Sequence, residues 1–484
     1  MKTLALGFLE DPNDGKSLEK SISDRKIKQI IDDSLHCSIT PYNEGHFNSI
    51  LSDISNYDFA KQLSALNDLI SWCYNGILSY KMFPGSFFEN LYYILVNPRM
   101  DIQVKNRIIS FLTVACRIDS RYVEKISEWS YHCFLAEEVF KRDSIFRIEN
   151  ILPLVVLLFV HNPSVFTYFK YNDFIKNLIS LLSLPYPQLQ QEHILDAISE
   201  YIGCKWFTNN DPDLPEILTK HCLELLFLKD EMPYSYKTAL CFKTLGRIVS
   251  FYPTGDHIDS IILHESICVK ALSLVGQDAI DLSTSILQFL GVCTSNIPEV
   301  CSQLCSADLI SYSVTLFPEL NQGNDPCYGL LLSIIYNVLL SEESLVTSAI
   351  ENHSFRELLF SCINDGSVPT KDNAIALASL IILQSPPVMV YEFCNRIHFT
   401  EFVSVYVESG YSPICIKALY SLVYLFEIGE KLGQERVDIA SVLIKEDVKD
   451  IADSLLSMNE TQCKKFGSKL SSIIEYIESL FAGN

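Results

Sequence analysis

The sequence lacks most of the features that announce chemistry. Its 16 cysteines stand one at a time with no C-x-x-C, and the closest pair, Cys301 and Cys305, has no histidine at ligand spacing. That scatter excludes a zinc ribbon or a disulfide framework and reads as small buried apolar residues in a reducing compartment. Glycine and proline together supply 37 of 484 residues, too few for a loop-rich or low-complexity chain. Cations are short as well: 37 Lys and Arg face 59 Asp and Glu, a net charge of −22. Such a deficit opposes phosphate-mediated binding of nucleic acid and favours basic partners.

Long hydrophobic runs are missing too. The longest, Ile151–Val160 and Gly329–Leu340, fall short of the roughly 20 residues a membrane-spanning helix needs. The start, MKTLALGFLEDPNDG, has one lysine and an apolar run too short for a signal peptide. A soluble intracellular protein without a membrane partner is expected. There is no G-x-S-x-G, no phosphate-cradling glycine loop and no H-E-x-x-H, and histidines such as His36, His161, His221 and His264 do not cluster. Neither an enzyme nor a cofactor or metal site is expected.

What is present is a repeat. Apolar residues make up 48% of the chain, enough for a substantial core. Apolar helical segments centre near Leu69, Leu112, Val156, Tyr201, Leu245, Leu290, Tyr336, Leu380 and Leu422, at steps of 42 to 46 residues. Each period carries a second amphipathic segment, among them Phe174–Leu182, Cys222–Leu228, Ile267–Val275, Phe355–Ile363 and Phe399–Val407. Pro163, Pro253, Pro298 and Pro386 follow four of the centres and stop the helix there. Sustained two-residue alternation is absent, so no sheet is expected. A period in the forties with two or three helices is the armadillo/HEAT signature. The fold class is therefore all-α, a right-handed α-solenoid of about ten repeats over 45–484 with a C-terminal capping repeat. Residues 1–44 are expected as a flexible N-terminal arm.

Two stretches resemble the importin-α (karyopherin-α) nuclear import adaptors. Near the C-terminus, Gly429-Glu430-Lys431-Leu432-Gly433 is followed by the amphipathic pair Val448–Leu456 and Ile473–Phe481, separated by Met458-Asn459-Glu460, similar to that family's ninth and closing tenth repeats. Ser164-Val165-Phe166 and the following FTYFKYNDFIKNLISLL resemble its third repeat, and nine centres plus a cap give ten repeats. The resemblance implies a groove that binds nuclear localisation signals of cargo proteins, with Trp rings sandwiching lysine stems, Asn clamping the peptide backbone and acidic residues nearby. It also implies residence in cytoplasm and nucleus. The register places Ser110 and Val114, Leu154 and Leu158, Lys243 and Arg247, and Gln288 and Val292 where successive Trp and Asn belong, and it keeps Asn337 as a backbone clamp. Asp196 and Glu200 are the candidates to meet a cargo lysine. Trp72, Trp129 and Trp206 fall outside the groove column and read as packing residues. The arm, which binds importin-β in that family, offers only Arg25, Lys26 and Lys28, interrupted by Asp24, Asp32 and Asp33: a degenerate carrier-binding segment. The alternative function is a non-transport armadillo scaffold that meets partners through an apolar groove lined by Val114, Leu154, Leu158 and Val292.

Overall fold

The computed structural model describes residues 30, 41–56, 58–141, 144–184, 186–207, 213–227, 236–252, 256–264, 266–276, 280–319, 326–385, 387–408, 413–429, 434–458 and 460–482. Among them helices alternate with short turns and no strand occurs. The expected arm lies almost wholly outside the described residues, as do Pro253, Pro386, Asn459 and the 430–433 stretch. Two compact units divide the chain, one running to Tyr252 and the other beginning at Pro253.

All nine predicted centres fall in long helices, and these helices form a ladder in each unit. The first unit holds α1 (Phe59–Tyr74), α2 (Ile102–Ile118), α3 (Ile148–His161), α4 (Gln188–Ile202) and α5 (Tyr236–Phe251), each packed on the next. The second holds α6 (Ile280–Asn296), α7 (Pro326–Ser341), α8 (Val368–Gln384) and α9 (Pro413–Ile428), packed in the same way, and ends in α10 (Thr461–Ala482). Tyr420 of α9 stacks on Phe466 of α10, which joins the last helix to the ladder. Glu446–Ser457 and α10 make up the expected closing pair.

Shorter helices complete each repeat. Phe174–Leu182, His353–Asp365 and Phe399–Glu408 are the predicted second helices, and a third helix precedes each: Pro163–Tyr171, Ser344–Glu351 and Pro387–Arg396. Pro163 and Pro298 do more than stop the helix before them. Each is the first residue of the next helix, where its fixed φ suits the turn and its missing amide costs nothing. Asn162 completes that start by accepting from the amides of Ser164 and Val165 at 2.9 and 3.3 Å.

The repeat also shows in backbone geometry. Ser130, Asp173, Ser266, Asp308 and His398 all have φ between 49° and 58°, and each is the corner between the short first helix of a repeat and its second. The hydrogen bonds carry the same period. Cys204 Sγ donates to Phe159 O and Trp206 Nε1 to Val160 O in the first unit. In the second, Asn373 Nδ2 donates to Gly329 O and Ser421 Oγ to Ser379 O. These partners lie 42 to 46 residues apart, the length of one repeat.

Burial accounts for the cysteines and tryptophans. Among the described cysteines none is in a disulfide, and desolvation pushes the thiols of Cys73, Cys362 and Cys415 up to about 12, so they stay protonated and inert. Trp72 is fully buried, with Tyr42 and His46 edge-on to its ring, and Trp206 makes the inter-repeat bond just described. Among the described residues no single helix is long and apolar enough to cross a membrane. The only pair that passes on length and composition, Ile148–His161 with Pro163–Tyr171, bends by 115°.

The left-handed corners give a stability prediction. Ser266 has no side-chain cap bond, so Ser266→Gly removes a Cβ penalty and is expected to stabilise by about 1 kcal/mol. Ser266→Val is expected to destabilise by about 2 kcal/mol. Urea unfolding of both variants beside the native chain measures the pair.

Candidate functional site

A ladder buries most of each long helix and leaves one stripe per helix on its open face. In the second unit that stripe is Gln288 and Val292 on α6, Ser333, Tyr336 and Asn337 on α7, Asn373 on α8, and Lys417, Tyr420 and Tyr424 on α9, all half-buried. Lys417 Nζ donates to Tyr336 Oη at 3.0 Å and lies 4.7 Å from the centre of that ring. The two residues sit on helices separated by α8, whose axes are roughly 18–20 Å apart at ordinary packing distances. Side chains close that gap where the rungs tilt towards each other, so the open face is the inside of the curve in this unit.

The expected groove residues fare unequally. Asn337 does face this side. Its Nδ2 donates to Thr294 Oγ1 at 3.1 Å and Ser295 Oγ at 3.0 Å, and its amide oxygen is left to accept. Asn373 repeats the arrangement one rung later, donating to Gly329 O at 3.1 Å. A Cβ at Gly329 would lie 3.4 Å from Asn373 Nδ2, at the edge of ordinary van der Waals contact. Sequence reasoning missed Asn373, Tyr336 and Lys417; the Asn at equal depth in consecutive long helices was the available signal. Gln288 and Val292 are also on the open face, as the register placed them.

Leu154 and Leu158 are corrected. Both are 0% exposed, because α3 is flanked by ladder helices on two sides and by its own repeat on a third, and residues 151–159 are all buried. Val114 is buried likewise. These residues are core and present nothing to a partner. Asp196 is also corrected: at 2% exposed it lies within the ladder and not on its surface.

Glu200 is near the surface but already engaged. Its Oε1 lies 3.0 Å from Lys243 Nζ and 3.2 Å from Arg247 Nη1, both on the next rung, and Arg247 Nη1 also donates to Ser199 Oγ at 3.1 Å. Burial opposes ionisation of Glu200, but the Arg247 guanidinium and the Lys243 ammonium outweigh it and hold the carboxyl at about 2. Gly203 leaves the space for this: a Cβ there would lie 2.6 Å from Arg247 Cζ. The cluster is a brace between α4 and α5, and its three charges satisfy one another before any peptide arrives.

Elsewhere in the first unit a cavity of about 200 Å³ is walled by Phe166, Phe169, Tyr201, Phe207 and Tyr252, with Lys170, Lys176 and Asp173 its charged lining. It pairs no nucleophile with a base. Among the described residues no group of three or more metal-ligating side chains occurs.

No family model and no curated protein matches the sequence. Solved structures do. An engineered protein, target OR497 of the Northeast Structural Genomics Consortium, is 13% identical with a TM-score of 0.56, over 89% of this chain and 98% of that one. A structure from work on a phosphorylation switch that controls the interaction between cadherin and beta-catenin is 10% identical with a TM-score of 0.51, over 99% of both chains.

Two pH-dependent outcomes follow. Glu200 has a folded pKa far below its ordinary 4.5, so its stabilisation is complete above that value and is lost as pH falls from about 4.5 towards 2. Glu200→Gln is expected to cost about 2 kcal/mol at neutral pH, since it leaves two cations side by side at a half-buried site, and to flatten that acid limb. Lys417 has the opposite sense. Burial lowers it from 10.5 to about 8, so its penalty is complete below 8 and is relieved as pH rises to 10.5. Lys417→Met is expected to abolish that alkaline rise in stability. Denaturant midpoints across both windows measure the two effects. The all-helical ladder and its solved neighbours together make the fold an α-solenoid of armadillo type.

Proposed function

We propose that the chain is a non-catalytic scaffold that holds an extended segment of a partner protein on the open face of α6–α9. The observation that carries this is the pair of amide oxygens, Asn337 and Asn373, presented on consecutive rungs beside Tyr336 and Tyr420. Rungs about 10 Å apart match three residues of extended chain, so each Asn meets every third backbone amide of a segment crossing the helices. Unpaired backbone donors of such a segment need acceptors, and the tyrosine rings offer apolar area at little entropic cost. The structure of beta-catenin work with cadherin supports the reading, as a solenoid neighbour concerned with a protein interaction.

A second reading, nuclear import, is supported by the ten-repeat count and by the importin-α-like closing pair. It requires residence in both cytoplasm and nucleus and a lysine-rich cargo. In the first unit Glu200 is paired with Lys243 and Arg247 and Asp196 is buried, so the support for basic cargo is weaker than for an uncharged segment. Titration of the purified chain with a labelled lysine-rich localisation peptide at physiological salt tests it: micromolar binding supports import, and its absence removes it.

For the scaffold, benzoylphenylalanine placed at Val292 on the open face and at Val405, 67% exposed on the second helix of a repeat, separates face from background. Ultraviolet cross-linking in cells is expected to give a discrete adduct from position 292 alone. Equal adducts from both positions, or none from 292, contradict the proposal.

A further inference from the structure

The first unit carries a surface marked by the period of its charge, and none of its residues belongs to α6–α9. Arg117, His161 and Lys205 stand 44 residues apart in the sequence, one to each of three consecutive rungs. Arg117 is in the last turn of α2, His161 is the last residue of α3, and Lys205 lies just beyond the end of α4. All three are exposed. The last turns of α1 and of α5 to α9 carry no basic residue, so complementing the helix dipole does not by itself require one. The three ends form one edge. Trp206 Nε1 donates to Val160 O at 3.3 Å, which holds the end of α4 against that of α3. Burial and the charges of Arg117 and Lys205 together push the His161 imidazole below its ordinary range, so both flanking cations are felt at the middle rung with the side chains placed as they are. Apolar surface runs beside them. Ile118, next to Arg117, is 47% exposed, and the half-buried Trp206 has the Lys205 ammonium 4.4 Å from its ring centre. Asp119, at the end of α2, is held by Arg121 at 2.8 Å.

We infer that this edge binds a short acidic segment of a partner protein in the polyproline II conformation, with Asp or Glu at every third residue and apolar residues between. Ladder helices pack about 8–10 Å apart, and a polyproline II chain repeats every three residues, about 9 Å, with every third side chain on the same side. A chain laid across the ends of α2, α3 and α4 therefore brings one carboxylate to each of Arg117, His161 and Lys205. A β-strand does not, because its side chains alternate and the third residue along points to the opposite face. The guanidinium and the ammonium make charge-assisted bonds, and His161 has an N–H to donate in either protonation state. Apolar residues between the carboxylates cover Ile118 and Trp206, whose area the ladder leaves in water. Nucleic acid fits less well. Three cations do not offset a net charge of −22 against a long run of phosphates, whereas a segment with three carboxylates is matched one to one.

Panning phage-displayed random dodecapeptides on the full chain, in parallel with the double variants Arg117→Gln/Lys205→Gln and Arg117→Lys/Lys205→Arg, tests this. Both positions are exposed, so both variants are expected to keep the native helicity by circular dichroism. Peptides lost on Arg117→Gln/Lys205→Gln but kept on the native chain and on Arg117→Lys/Lys205→Arg are expected to carry Asp or Glu at every third position. A synthetic peptide of that kind should bind Arg117→Gln/Lys205→Gln about tenfold more weakly, as two exposed ion pairs are lost, and His161→Ala about threefold more weakly. Peptides of this charge-dependent set that have no acidic residue, or acidic residues without the three-residue period, overturn the inference. So does the absence of any such set, whatever is enriched equally on all three chains. An oligothymidylate that binds the native chain more tightly than these peptides do, and is lost on the same variant, gives the edge to nucleic acid and overturns it too.

Discussion

Everything in this structure depends on one constraint: a single repeat cannot bury its own long helix. Residues 151–159 of α3 are buried on every side, although their own repeat covers only part of that circumference. The remainder is closed by α2 and α4, and the same sharing recurs at each rung. Removing nine consecutive apolar side chains from water is worth roughly 14–27 kcal/mol at 1.5–3 kcal/mol each, before the opposing chain entropy. Neighbouring repeats supply that burial, so the repeats stand or fall together with their neighbours.

Once packing has taken most of each long helix, little surface is left for recognition, and polar residues there serve two masters. Asn337 and Asn373 spend their amide hydrogens holding adjacent rungs together. Glu200 spends its whole charge on Lys243 and Arg247 and keeps nothing. This difference separates the two units. In the first, the charged residues of the open face brace the ladder; in the second, the face is rich in Asn, Tyr and Gln with Lys417 among them.

The period was legible in the sequence because burial demands apolar residues at every rung, and the nine centres all land in ladder helices. Which way each helix faces was not legible where the helix is apolar throughout. In α3 a run such as Leu154 to Leu158 offers no polar stripe from which to read direction, so its leucines pass equally for groove or core. The brace was hidden because Glu200 and Lys243 are 43 residues apart in the sequence. The left-handed corners were hidden for another reason. Ser, Asp and His share no residue type, and the constraint acts on the backbone of each. Asn337 was picked out by its type, whereas Tyr336 and Lys417 come together only when α7 and α9 are brought to the same side of α8.

Hydrogen exchange of the full chain, resolved by peptide, tests the shared ladder most directly. If neighbouring repeats supply the burial, amides of α2, α3, α7 and α8 exchange slowest and with a common protection in each unit, while Pro163–Tyr171, Pro298–Ser306 and Pro387–Arg396 exchange faster. Long helices that exchange as fast as these short ones, or each at its own unrelated rate, would contradict the account.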